Sequence, residues 1–103
     1  MPGPDTKKLA ASLRAFSDQT RIRLLMALRQ KGELCVRDLT ERLRLPQPTI
    51  SAHLGILRRH GLVRARRTGK QVFYSNDKPQ LGRLRKGFDD LFPPKPRGKR
   101  RRR

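Results

Sequence analysis

The sequence predicts a mainly α-helical domain with a small β-hairpin: five helices and two strands in a dimeric winged helix-turn-helix arrangement. Three observations predict it. Ile50, Leu54 and Leu57 recur at i, i+4 and i+7 between Pro48 and Gly61. That is a helix opened by a proline its first turn tolerates and closed by a glycine cap. Val36, Leu39 and Leu43 recur at i, i+3 and i+7 just upstream, so two short amphipathic helices meet at Leu45-Pro46, the helix-turn-helix spacing. Downstream, Val63 and Ala65 alternate with Arg64 and Arg66, Gly69-Lys70 supplies a turn, and Val72-Phe73-Tyr74 returns. That is a basic two-stranded hairpin, the wing.

The elements follow in order. Residues 1–4 read as a flexible leader, 5–92 as the domain and 93–103 as a disordered basic tail. Thr6 to Phe16 carries Leu9, Leu13 and Phe16 at i, i+4 and i+7. Asp18 then caps a second helix running to about Gln30. Ile22, Leu25, Met26 and Arg29 lie along one side of it, with Leu24 and Leu28 broadening the face, and Lys31-Gly32 closes it. In the helix from Gln47, His53 shares the core-facing side. The outer face carries Gln47, Pro48, Ser51, Ala52, Gly55 and Arg59. Short side chains there permit close approach to a duplex, and Gln can pair with an adenine edge. Base readout is therefore expected from Gln47, Ser51 and Ala52, with Pro48 and Thr49 shaping the start of the helix. Arg66, Arg67 and Lys70, near the hairpin tip, are expected on flanking phosphates. The last helix, Pro79 to Phe92, shows one stripe of Leu81, Leu84, Phe88 and Leu91. Gly82 and Gly87 weaken it by ~1 kcal/mol each, so it depends on what it packs against. No intrachain helix is long enough to cover that stripe, which predicts a two-fold homodimer.

Composition narrows the function. A chain of 103 residues, 34% hydrophobic, buries a thin core alone. Lys and Arg number 27 against 8 acids, a formal charge of +19, which favours polyanion partners, with double-stranded DNA the default. Some of the surplus follows from a bias of Arg over Lys. No apolar run is long enough to span a membrane and no signal-peptide pattern opens the chain, so no membrane partner and a cytoplasmic location are expected. The single cysteine excludes an intrachain disulfide. There is no Gly-rich phosphate loop, no nucleophile with a paired base and no carboxylate dyad, so the chain does not read as an enzyme.

Phe16-Ser-Asp-Gln-Thr-Arg-Ile-Arg-Leu-Leu, Glu33-Leu-Cys-Val-Arg-Asp-Leu, Gln47-Pro-Thr-Ile-Ser-Ala-His-Leu and His60-Gly-Leu-Val together closely resemble the ArsR/SmtB family of bacterial winged-helix repressors. The resemblance covers roughly residues 5 to 92. It implies a homodimer that binds an operator and answers a chemical signal. It also implies that the last helix packs on the first, through Leu9 and Leu13, and on the same pair from a second subunit. Two-fold symmetry then sets two reading helices on inverted half-sites roughly 34 Å apart.

The departures bear on the signal. Gln19 stands where the family usually has proline, a minor change. Gly55 stands where members often carry a basic or polar residue. Metal-sensing members place two cysteines on the helix before the reading helix; here Cys35 keeps one and Arg37 replaces the other. One thiolate does not make the soft multidentate site that thiophilic metals want. Cys35 therefore reads as a small buried hydrophobe at a helix start, with a redox-sensitive thiol, or one ligand of a site completed elsewhere, as the alternatives. His53 reads as a hydrogen-bonded structural residue. His60 meets the dipole at its helix end. Two turns apart, the two histidines are too distant to share an ion comfortably. The last helix has no histidine, so the family's other common metal site is missing; Asp89 and Asp90 remain as hard ligands or, more simply, solvated carboxylates. Any metal response has to draw on His53, His60 or carboxylates, which favours nickel, cobalt or zinc. The expected function is a sequence-specific transcriptional regulator of repressor type, held on or released from its operator by a chemical signal. The alternative is a constitutive DNA binder, or one controlled by a regulatory partner protein.

Overall fold

The computed structural model describes residues 5–93; the leader over 1–4 and the tail from 94 onward lie outside them. The chain runs α1 (Thr6–Phe16), α2 (Gln19–Lys31), β1 (Leu34–Cys35), α3 (Val36–Leu43), α4 (Gln47–Arg59), β2 (Val63–Thr68), β3 (Gln71–Asn76) and α5 (Lys78–Leu91). All five predicted helices form. The hairpin forms too, with a third strand beside it. The sheet order is β1-β3-β2, antiparallel throughout. The two-strand expectation is therefore corrected: Leu34 pairs with Tyr74 and Cys35 with Phe73.

Four of the five helices begin at an acceptor or a proline; α3 begins at Cys35, whose amide and thiol donate to Asp38. Asp5 takes the amides of Lys7 and Lys8, Asp18 that of Arg21, and Asp77 that of Gln80. Such caps satisfy donors the helix itself cannot pair. Asp77 moves the start of α5 to Lys78, one residue before the expected Pro79. The end of α4 is a Schellman closure: the Gly61 amide donates to Arg58 and the Leu62 amide to Leu57, both at 2.9 Å. Gly61 takes φ 73° to make it. The turn between α3 and α4 uses Arg44 at φ 57°, and Arg23 donates to the free carbonyl of Leu43 at 3.2 Å.

The core lies where α2, α3 and α4 converge under the sheet. Leu24, Leu28, Leu39, Ile50, Leu54, Leu57 and Leu62 are its fully buried large side chains, each worth ~1.5–3 kcal/mol on burial. On α2 the buried set is Leu24, Leu25, Ala27 and Leu28. Ile22 and Met26, placed by the sequence reading on the apolar side, face outward, Met26 at 55% exposure. Their side of the helix is the more exposed one, because α3 and α4 cover the other.

Candidate nucleic-acid interface

The helix α4 is anchored by Ile50, Leu54 and Leu57, all buried. Its 100° per residue then turns Gln47, Pro48, Ser51, Ala52 and Gly55 outward, all exposed, with Thr49 half-buried at the edge. A Cβ added at Gly55 would meet nothing within 4 Å, so this part of the face is open backbone. The predicted reading residues thus share one accessible surface.

The wing stands beside it. Gly69, at φ 60°, is the first of the two turn residues, as a type II′ hairpin wants. Arg67 and Lys70 are exposed at its tip, and neither forms an ion pair among the described residues. Arg66 is placed differently from its two predicted companions. Its Nε and Nη2 donate to the two carboxylate oxygens of Glu33 at 3.0 and 2.8 Å, and its Nη1 donates to Thr68 Oγ1 at 2.7 Å. Its guanidinium also lies 5.3 Å over the Phe73 ring. This pair holds Glu33 below the usual carboxylate range and pushes Arg66 further up. A phosphate has to compete with Glu33 for Arg66. At the other end of β2, Arg64 donates to the Asp77 cap at 3.0 Å, tying the wing to the start of α5.

The signal candidates are dispersed. Cys35 is 7% exposed, and its thiol donates to the Asp38 carboxylate at 3.2 Å. His53 turns inward: Arg21 Nη1 donates to its Nδ1 at 3.2 Å, and Asp18 lies 4.0 Å from the same nitrogen. His60 is the capping residue of α4. No three His, Cys, Asp or Glu among the described residues form a group that could hold a metal ion, so Cys35, His53 and His60 do not make one together. The donors at Cys35, one thiol and one carboxylate, do not fit a thiophilic metal. On α5, Asp89 and Asp90 pair with Arg85 and Lys86 at 3.8 and 3.4 Å. Four residues that the sequence reading gave no part hold this region together: Arg21, Glu33, Asp38 and Asp77. Arg21, Glu33 and Asp38 all sit inside the diagnostic motifs, which was the available signal. Glu33 finds its partner only through the sheet.

The helices α1 and α5 pack closely, with Leu9 against Gly87: a Cβ on Gly87 would come 3.2 Å from Leu9 Cδ1. The predicted interface set splits here. Leu9, Leu13, Leu81 and Leu84 are half-buried within the chain, Leu81 and Leu84 against its own core. Phe88 and Leu91 are 45% and 50% exposed, and Phe92 adds a second ring 5.2 Å from Phe88. No helix among the described residues is long and apolar enough to cross a membrane.

A helix-turn-helix with an accessible outer face on its second helix and a basic wing defines a DNA-binding winged-helix domain. Residues 18–65 match the family described as bacterial regulatory protein, arsR family. The chain is 39% identical over 85 residues to an uncharacterized HTH-type transcriptional regulator of Methanocaldococcus jannaschii, covering 82% of this chain and 96% of that one. It is 46% identical over 59 residues to the arsenical resistance operon repressor of Escherichia coli, covering 57% of this chain and 50% of that repressor. It therefore spans about half the length of the latter. Among solved structures, it resembles a homodimeric winged helix-turn-helix DNA-binding domain from Mycobacterium bovis at TM-score 0.70 and 30% identity, covering 77% of this chain and 72% of that one. The chain belongs to the ArsR/SmtB family of transcriptional regulators; it is a regulator and not an enzyme.

Proposed function

We propose that this regulator is a homodimeric repressor that binds an inverted repeat in double-stranded DNA. The observation that carries the reading is the shared exposure of Gln47, Ser51, Ala52 and Gly55 on α4 beside Arg67 and Lys70 of the wing. Gln47, Ser51 and Ala52 read bases, with Pro48 and Thr49 shaping the approach. Arg67 and Lys70 hold phosphates, joined by Arg66 where it leaves Glu33. Phe88, Leu91 and Phe92 meet a second copy, which sets the two α4 helices on inverted half-sites. The homodimeric neighbour and the arsenical repressor support dimerisation and repression.

The signal is not an arsenite- or cadmium-type metal at Cys35, because one thiol on Asp38 offers too few soft donors. A harder ion (nickel, cobalt or zinc), oxidation of Cys35, or a partner protein is the effector. His53 is a poor first ligand, since Arg21 already occupies its Nδ1. The decisive experiment selects duplexes from a random library with the full chain and footprints the winner, with and without zinc, nickel, arsenite and peroxide. The expected result is an enriched inverted repeat, protected on both halves, whose protection one of zinc, nickel or peroxide changes and arsenite does not. Enrichment of no sequence overturns specific binding. Release by arsenite overturns the account of Cys35.

A further inference from the structure

We infer that Arg21 is a positioning residue for sequence readout: it sets the rotation of α4 against α1, the helix that packs on α5. This rests on the reading of α4 as the helix that meets DNA. Among so many cations Arg21 passes for one more phosphate ligand, yet its guanidinium is turned into the fold. Its Nε donates to the Ala15 carbonyl at 2.5 Å and its Nη2 to the Arg14 carbonyl at 3.3 Å. Those carbonyls belong to the last turn of α1, where helical acceptors run out of intrahelical donors; the Arg14 carbonyl also accepts from the Ser17 amide and hydroxyl. Its Nη1 donates to His53 Nδ1 at 3.2 Å. Its own amide donates to Asp18, so the first turn of α2 is fixed at the same point. One planar group therefore joins α1, α2 and α4.

The geometry has a direct consequence for reading. His53 follows Ser51 and Ala52 by two residues and one, so holding its ring holds the azimuth of the face that carries them. The leucines of α4 fill the core but resist small rotations weakly, because apolar contact is not directional. A charge-assisted hydrogen bond is directional. Since α1 packs on α5, the same guanidinium links the dimer layer to the reading face. Lysine cannot replace it, being a point charge that reaches one place at a time.

The test uses the full chain, the duplex selected above and a scrambled duplex, measured across a salt series. Arg21→Lys keeps the charge, His53→Leu removes the acceptor, and His53→Asn keeps an acceptor near the place of Nδ1. Arg21→Lys and His53→Leu are each expected to cut the ratio of specific to non-specific affinity by about tenfold. Both should keep the parent's affinity for the scrambled duplex and its salt slope, and His53→Asn should keep the parent's ratio. If Arg21→Gln, which removes the charge, weakens both duplexes equally and lowers the slope by ~0.9, Arg21 is a phosphate contact and the inference falls. If the ratio survives His53→Leu while the melting temperature drops, the joint is merely structural and the inference falls. Should Arg21→Lys not fold, the comparison of Asn with Leu at position 53 decides, and equal ratios overturn the claim. Failure of the parent to select any sequence removes the DNA reading itself, a result separate from these.

Discussion

At Gly61 the chain reverses out of α4 through a left-handed residue, and nothing but backbone geometry demands glycine there. The nearest heavy atom to an added Cβ is Gln80 Cγ at 3.7 Å, an ordinary contact. Gly61→Ala should therefore cost ~1–2 kcal/mol from the positive φ alone, read as a lower thermal midpoint. An unchanged midpoint would show that the turn relaxes. The carboxylates supply a second test at this scale. Asp18 is held below the usual range chiefly by the Arg21 amide, Asp77 by the Gln80 amide and then by Arg64, and Glu33 by Arg66. Each is more acidic folded than unfolded. Its stabilisation is complete above the ordinary carboxylate range and is lost as pH falls through about 4 and below. The urea midpoint should hold steady from roughly pH 7 to 5 and decline below about 4, less steeply in Asp18→Asn. Equal declines in parent and variant would remove Asp18 from the account.

Among elements, α5 departs most from its sequence reading. Gly82 and Gly87 look equivalent as helix-weakening residues, and packing separates them. A Cβ at Gly82 meets open space, whereas one at Gly87 presses on Leu9 at 3.2 Å. Gly82→Ala should gain ~0.5–1 kcal/mol. Gly87→Ala should gain less, because Leu9 has to yield. Calorimetry showing equal gains would mean that α1 and α5 are not held at this distance. The elements legible in the sequence were those that carry their own period: α3, α4 and the hairpin. The exposed face of α4 was legible for the same reason, since burying Ile50, Leu54 and Leu57 dictates what points away. A strand of two residues, Leu34 and Cys35, has no alternation to detect and is defined by a partner far along the chain. The phase of α2 was ambiguous because apolar residues occupy most of its circumference, and only the position of α3 and α4 resolves it. The engagement of Arg66 was hidden because Glu33 reaches it across strands.

At the scale of the molecule, the outer part of the α5 stripe is the exposed apolar surface best placed to join two copies. Leu81 and Leu84 serve the chain's own core, so charging them unfolds as well as separates. Phe88→Glu with Leu91→Glu is the cleaner change. It should give a folded monomer by sedimentation, with operator binding lost and the far-ultraviolet dichroism kept. A variant that still sediments as a dimer places the interface elsewhere. The Glu33–Arg66 pair has a consequence for the molecule's dealings with any polyanion. If the wing meets DNA as proposed, it arrives carrying a counterion of its own. Engaging Arg66 there exchanges a carboxylate for a phosphate, and Glu33 is left to recruit a cation from solution. The wing should thus contribute less to salt dependence than its charges suggest. Glu33→Gln is expected to tighten binding to every duplex and to steepen the salt slope by at most ~0.9. A slope and affinity that stay at the parent's values would mean Arg66 never lets go. On that proposal the pair would moderate the chain's own stickiness: a protein of charge +19 would keep part of that charge in reserve until a backbone arrives that outbids Glu33.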